Sequence, residues 1–260
     1  MNENGIVELN LLNFGCVYLL LIIVLYIMKK CKINQTKLLL IASARMTIQL
    51  ILCGLILTYI FKNPHPIFVI LYLLVMTTFA IHTTIARNKK INKKFKYIAG
   101  LSLSITGIVM VIFFITIVVN VNFFNPQYTI PISGMIIGNA MTGVSLGIKT
   151  FYQNVFEARN KIMTLLNIGV HPKKILNPIM NNAVETALIP TLNTMLGMGV
   201  ISLPGMMTGQ ILSGTMPTTA ILYQIAIIVV ICVVTCLSVF STLYFGSRTM
   251  YNKRCQITFQ

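Results

Sequence analysis

Seven apolar runs, each near or above the length of a membrane crossing, alternate with polar connections along this chain. They are Leu9–Met28, Leu38–Phe61, Ile67–Ala86, Tyr97–Val119, Ile132–Ile148, Thr186–Leu203 and Thr219–Phe245. A helix needs about 20 apolar residues to cross the hydrocarbon core, and helices satisfy their backbone groups internally in lipid. The runs predict an all-α integral membrane protein of seven transmembrane helices, one domain over residues 1–260. Only 9% of the 260 residues are charged, against about 25% in a soluble domain. No sizeable water-facing domain fits beside the spans.

The cations orient those spans. Lys29, Lys30, Lys32 and Lys37 follow the first run, and Arg87, Lys89, Lys90, Lys93, Lys94 and Lys96 follow the third. Lys149, Arg159, Lys161, Lys173 and Lys174 follow the fifth, and Arg248, Lys253 and Arg254 follow the seventh. All but two of the 20 cations therefore share one side; Lys62 falls opposite and Arg45 lies inside the second run. The positive-inside rule then puts the amino terminus outside and the carboxyl terminus in the cytoplasm. The net charge of +16 needs no nucleic acid partner, because clusters at span ends are accounted for by orientation and anionic lipid. Glu3 and Glu8 precede the first run without a basic n-region, which predicts a retained span rather than a cleaved signal peptide.

The acids exclude whole classes of chemistry. Glu3, Glu8, Glu157 and Glu185 are the only four, and there is no aspartate. Paired-aspartate proteolysis and phospho-aspartate pumping both need that carboxylate. A P-loop ATPase needs a magnesium-holding aspartate and a phosphate-binding loop. The nearest string, Gly147-Ile148-Lys149-Thr150, lacks the glycine before lysine. Neither Gly-x-Ser-x-Gly nor His-Glu-x-x-His occurs, so the chain is not read as an enzyme. Cys16, Cys53, Cys232 and Cys236 lie in apolar runs and Cys31 and Cys255 beside lysines, a scatter that fits neither a disulfide framework nor a C-x-x-C metal site.

Residues 150–185 form the one long cytoplasmic connection. Val155, Phe156, Ile162, Leu165 and Leu166 recur at helical spacing within Phe151–Leu166. Gly169-Val170-His171-Pro172 then breaks the pattern, and Lys173–Ala183 predicts a second short helix. Such an amphipathic helix suits a groove on a cytoplasmic partner or the membrane interface, and the pattern does not choose between them.

In the fifth run, Gly134/Gly138 and Gly143/Gly147 fall on opposite helix faces, where small residues permit close backbone approach. That helix is expected between two neighbours. A further pair, Gly205/Gly209, follows Pro204 in an uncharged outer connection, 204–218. Irregular backbone at membrane depth must be buried in protein or line a cavity, so a re-entrant or gating segment is expected here.

Residues 188–214, LIPTLNTMLGMGVISLPGMMTGQILSG, resemble the signature stretch of the FetB family (UPF0014) of ABC-transporter permeases. Ala44-Arg45 through Gln49-Leu50 with Gly54, Ile130–Leu146 and Tyr223-Gln224-Ile225 support the resemblance, which runs from about residue 38 to 250. It implies an iron-export permease of the cell membrane, acting as a pair with a pair of separate cytoplasmic ATPase subunits. ATP and magnesium would then sit on the partner and no cofactor on this chain. Ile168–Ile175 resembles, more loosely, the coupling loop of ABC importer permeases, although Glu157-Ala158 stands at the wrong distance for that loop's Glu-Ala-Ala. The resemblance favours docking for the cytoplasmic connection and assigns coupling to Glu157, Gly169, His171, Pro172 and Lys173. A secondary transporter or channel working without an ATPase is the alternative. It predicts two corresponding broken helices, whereas one broken region is evident, near Pro204.

Several polar side chains fall inside spans, where they usually face the bundle interior. Arg45, Gln49 and Cys53 make a stripe, although Arg45 is also placed to snorkel to the interface. Glu185 is either solvated at a helix start or paired with Arg45. Asn139, Asn193, Thr208 and Gln210 offer oxygen donors to a translocating cation. Met135, Met141, Met195, Met198, Met206 and Met207 offer thioethers, which suit soft Cu(I) but also fill gaps. Met206 and Met207, flanked by glycines, are read as part of the pathway. Cys232 and Cys236, four apart on the last span, offer thiolates to a metal, with buried inert thiols the favoured reading, and His82 with Thr78 reads as helix-to-helix glue rather than a ligand. No cluster of acids, histidines or thiols marks a metal site.

Overall fold

The computed structural model describes residues 11–88 and 91–252. Leu9 at the start of the first run, Glu3, Glu8, Lys89, Lys90, Lys253, Arg254 and Cys255 lie outside the described residues. Nine α-helices and no strand are found among the described residues. They are α1 (Leu11–Lys30), α2 (Thr36–Lys62), α3 (Pro66–Arg87), α4 (Lys93–Phe113), α5 (Pro126–Glu157), α6 (Arg159–Asn167), α7 (Pro172–Gly197), α8 (Gly205–Leu212) and α9 (Pro217–Ser247).

Proline sets many of the starts. α3, α5, α7 and α9 each begin on a proline, whose missing N–H and fixed φ suit the first helical position. The preceding side chain caps three of them. His65 Nδ1 accepts from Ile67 N–H at 3.4 Å, Asn125 Oδ1 from Gln127 N–H at 3.1 Å, and His171 Nδ1 from Lys173 N–H at 3.2 Å. α4 ends in a widened turn, Phe114–Val118, closed by a bond from Val119 N–H to the Phe114 carbonyl at 2.9 Å. The extra residue in that turn lets the adjacent Phe114 and Ile115 both be fully buried.

Five helices are long and apolar enough to cross a membrane: α2, α3, α4 with its widened turn, α5 and α9. Elsewhere hydropathy and helix part company. The fifth apolar run ends at Ile148, but α5 continues to Glu157 with Phe151 and Val155 buried. Phe151–Leu166 is therefore not one amphipathic helix: it breaks at Ala158, and only Arg159–Asn167 forms the separate α6. Lys173–Ala183 and the start of the sixth run likewise merge into α7, which carries Pro178 and Pro190 inside it. The expected irregular outer segment contains a two-turn helix, α8, after a tight turn at Met198–Pro204.

The chain divides into two compact units, the boundary falling inside α8 after Thr208. One holds the residues up to Pro64 with Gly209–Met216. Within it α1 packs on α2, and the hydroxyls of Tyr18 and Thr47 lie 2.5 Å apart. Large apolar side chains of α2 such as Leu50 and Leu55 are exposed, as expected where lipid is the solvent.

The other unit runs from His65 to Thr208 and resumes at Pro217. α5 is its central element, touching α3, α4, α7 and α9, and α9 also touches α4 and α7. Phe95, Leu103, Ile136, Ile148, Phe151, Ile227 and Leu243 are among the fully buried side chains between them. Hydroxyls within these helices mostly bond back to their own helix. Thr77, Thr84, Thr106 and Thr142 donate to the carbonyl four residues earlier, which satisfies them without water.

Candidate functional site

A cavity of about 230 Å³ lies among α5, α7 and α9 inside the second unit. α5 contributes Met135, Asn139 and Thr142; α7 contributes Pro190, Thr191 and Thr194; α9 contributes Gln224, with Met198 and Pro204 at one edge. Sequence and packing both explain the space. Pro190 has no N–H for the helix ladder, which leaves the Thr186 carbonyl without its usual donor, and the Thr194 hydroxyl donates to the Pro190 carbonyl at 2.9 Å. Beside the cavity, Gly143 draws α5 against α9, its missing Cβ replaced by the Thr235 methyl.

The lining is polar without being charged. Asn139 donates from Nδ2 to the Met135 carbonyl at 2.7 Å, which leaves its oxygen as the available acceptor. Gln224 is only 5% exposed, its Nε2 lies 3.8 Å from Met198 Sδ, and its Oε1 has no partner among the described residues. A buried acceptor left unpaired costs about 1–3 kcal/mol, so its survival inside an apolar helix calls for a role. No carboxylate, imidazole, thiol or cation lines this space. It is chemically able to hold a small neutral solute or a weakly solvated cation through oxygen and thioether donors.

The other expected pathway residues are spread out. Arg45 and Gln49 project from α2 in the first unit, both exposed, with Cys53 half-buried. Glu185 and Asn193 are exposed on α7. Met206 packs on the apolar core and Met207 is buried, and neither lines the cavity. Thr208 donates to the Pro204 carbonyl at 3.1 Å, and Gln210 Oε1 is buried without a partner. Met141 also packs against the core. His82 and Thr78 are exposed, Thr78 bonding its own helix. Cys232 and Cys236 are free and half-buried.

The glycine pairs differ from one another. A Cβ at Gly147 would lie 2.9 Å from Val239 Cγ1, and one at Gly134 3.2 Å from Met76 Cε. One at Gly138, Gly205 or Gly209 would meet nothing within 4 Å. The close packing expected of Gly205 and Gly209 is therefore absent among the described residues.

A second feature lies at the other end of α5 and α7. α6 and the following turn fold against them around a groove of about 780 Å³, floored by Ile162, Leu165 and Ile175 and edged by Glu157, Lys161 and Lys174. Asn154 Nδ2 donates to Asn182 Oδ1 at 2.9 Å and ties the two long helices together. Gly169 makes the turn at φ +85°. His171 caps α7 and meets Tyr251 edge to face, ring centroids 6.0 Å apart, while Pro172 is buried and Lys173 exposed.

Gln224 was not among the residues singled out for the pathway. The available signal was its isolation: it is the one amide in the run Thr219–Phe245.

Helices of this length and hydropathy define a multi-pass helical membrane protein. The chain belongs to the family described as "Uncharacterised protein family (UPF0014)", whose profile matches residues 11–251. It is 32% identical over 260 residues to "Probable iron export permease protein FetB" of Escherichia coli, covering 99% of this chain and 97% of that one. It is 32% identical over 221 residues to "UPF0014 membrane protein YjkA" of Bacillus subtilis, covering 84% and 86%. "Protein ALUMINUM SENSITIVE 3" of Arabidopsis thaliana is 36% identical over 185 residues, covering 71% and 66%. No solved structure matches the chain significantly. Two of these relatives are named as a membrane protein and as a permease.

Proposed function

We propose that this protein is the membrane-spanning subunit of an ATP-binding cassette exporter. A pair of copies would sit in the cell membrane with a pair of cytoplasmic ATPase subunits that bind ATP and magnesium, and the cargo would be iron or another metal ion. Seven crossings with the amino terminus outside fit the cation distribution along the chain. The metal is suggested by the name of the Escherichia coli relative.

One observation carries the reading: a short helix, a glycine turn at φ +85° and a capped long helix stand together at the cation-rich ends of α5 and α7. A short exposed helix packed against α5 and α7 can transmit a push from a partner into the membrane. α7 is the transmitting element, since it runs unbroken from Pro172 beside the turn to Gly197 beside the cavity. Glu157, Gly169, His171, Pro172 and Lys173 are the proposed docking residues. Asn139 with Gln224 forms the proposed pathway, and Arg45, Gln49, Asn193, Thr208 and Gln210 remain candidates along it.

Co-purification tests the reading. The tagged full-length chain, expressed with the ATP-binding-cassette ATPase encoded nearest to it, should retain that ATPase in detergent and raise its hydrolysis rate. Failure to retain any such ATPase would favour a transporter that works alone.

A further inference from the structure

We propose that the cavity among α5, α7 and α9 binds a soft monovalent cation of the Cu(I) class, through the thioethers of Met135 and Met198 and the amide oxygens of Gln224 and Asn139. The proposal rests on the permease reading and narrows its cargo.

The donor set decides the class. Borderline ions such as Fe²⁺ and Zn²⁺ are held by carboxylate, imidazole or thiolate, and Mg²⁺, which amide oxygens also suit, still takes one or two carboxylates. The cavity offers none of these. Nowhere among the described residues do three His, Cys, Asp or Glu side chains gather to hold a metal. Thioether sulfur is the soft donor that selects Cu(I), and two methionines, one on α5 and one just past the end of α7, border this one space.

Gln224 supplies the independent observation. Its side chain is buried in the cavity wall, its Nε2 donates to Met198 Sδ at 3.8 Å, and its oxygen has no partner among the described residues. A cation at that oxygen would satisfy it, and Met198 sulfur would exchange the amide N–H for the ion. On α5, the nitrogen of Asn139 is committed to the Met135 carbonyl, which leaves oxygen rather than N–H for a cation.

Charge argues the same way. Dehydrating an ion becomes more costly as its charge rises, and a neutral lining compensates a monocation far better than a dication. Neutral donors also hold their ion weakly enough to release it, as conduction requires. Cys232 and Cys236 do not border the cavity, so a tightly retaining thiolate site is not built there.

The test uses the full-length chain with its six cysteines changed to alanine, since free thiols would themselves capture silver. It is held in lipid nanodiscs with Ag(I) as the probe, which shares Cu(I) softness without its redox chemistry. This cysteine-free chain is the reference for every variant below. Equilibrium dialysis with elemental analysis should find one Ag(I) per chain and no saturable Fe(II) or Zn(II). Met135→Leu and Met198→Leu, close in volume and apolar, should each weaken Ag(I) at least tenfold, and Gln224→Leu several-fold. Met46→Leu, at an exposed position on α2, should leave it unchanged. X-ray absorption of the cysteine-free reference complex gives a readout independent of the cavity variants: sulfur must neighbour the silver. Undiminished Ag(I) binding in the double methionine variant, an all-oxygen or all-nitrogen silver shell, or tighter Fe(II) than Ag(I) binding would overturn the proposal. ATPase retention and stimulation are measured on the same preparations. If they persist while Ag(I) fails, the cargo assignment falls and the permease reading stands; if they fail as well, both fall.

Discussion

Gly147 on α5 faces Val239 on α9 with no room between them for a side chain. A Cβ at 147 would lie 2.9 Å from Val239 Cγ1 and 3.4 Å from the Ala187 Cβ on α7. Gly143, one turn earlier, is closer still to Thr235 Cγ2, whereas Gly138 has nothing within 4 Å. Alanine in place of glycine inside a helix normally stabilises by about 1 kcal/mol. Gly138→Ala should therefore be neutral or stabilising, while Gly147→Leu should lose about 1–3 kcal/mol or more through overpacking. Thermal unfolding of the purified variants in one detergent separates them: Gly147→Leu melts below wild type and Gly138→Ala does not.

At the far end of α9, Gly246 stands against the buried ring of Phe95, where a Cβ would approach Cε2 to 2.5 Å. Phe95 stacks with Phe151 and Tyr152 at centroid distances of 6.5 and 5.5 Å. Gly246→Val should displace that ring and lower the melting temperature. Phe95→Ala should relieve the crowding yet leave a cavity costing about 3–5 kcal/mol. In the double variant the two losses should be smaller than their sum, because the residues are in contact.

Gly169 tests the connection to the partner. At φ +85° an ordinary side chain costs roughly 1–2 kcal/mol, more if it is β-branched, and asparagine is better tolerated. Gly169→Val should insert at wild-type level but stimulate the ATPase less, and Gly169→Asn should restore most of the stimulation. Equal stimulation by all three proteins would remove this turn from the docking surface.

Orientation is tested by reporters. A reporter fused after Lys94 should read cytoplasmic and one inserted after Asn125 external. Reversal at either site breaks the proposed topology.

Much of the fold was legible in the sequence because lipid allows few solutions. Five of the seven apolar runs coincide with helices long and apolar enough to cross a membrane, and the prolines at 66, 126, 172 and 217 open helices. Hydropathy failed where a helix leaves the apolar layer without ending. α5 continues nine residues beyond Ile148, and α7 begins well before Thr186, because backbone bonding and the burial of Phe151, Val155, Ile175 and Leu176 carry both helices onward. The glycine spacing could not separate Gly143 and Gly147, which pack against α9, from Gly138, where a Cβ would meet nothing within 4 Å. Met206 and Met207, singled out because glycines flank them, lie against or within apolar surroundings and outside the cavity. Of the expected pathway residues, Asn139 borders the cavity, but its partner Gln224 sits 85 residues away in sequence. Only the three-helix packing brings them together.

Transport itself is measured in inverted vesicles carrying the chain and its ATPase, supplied with Fe(II), Zn(II) or Ag(I) outside. If this chain moves a metal ion at the expense of ATP bound on a partner, one of these ions enters in an ATP-dependent way, and entry is lost when the ATPase is omitted or made unable to hydrolyse ATP. Uptake of the same size without the ATPase, or none for any ion with an active complex present, would rule out an ATP-driven metal exporter.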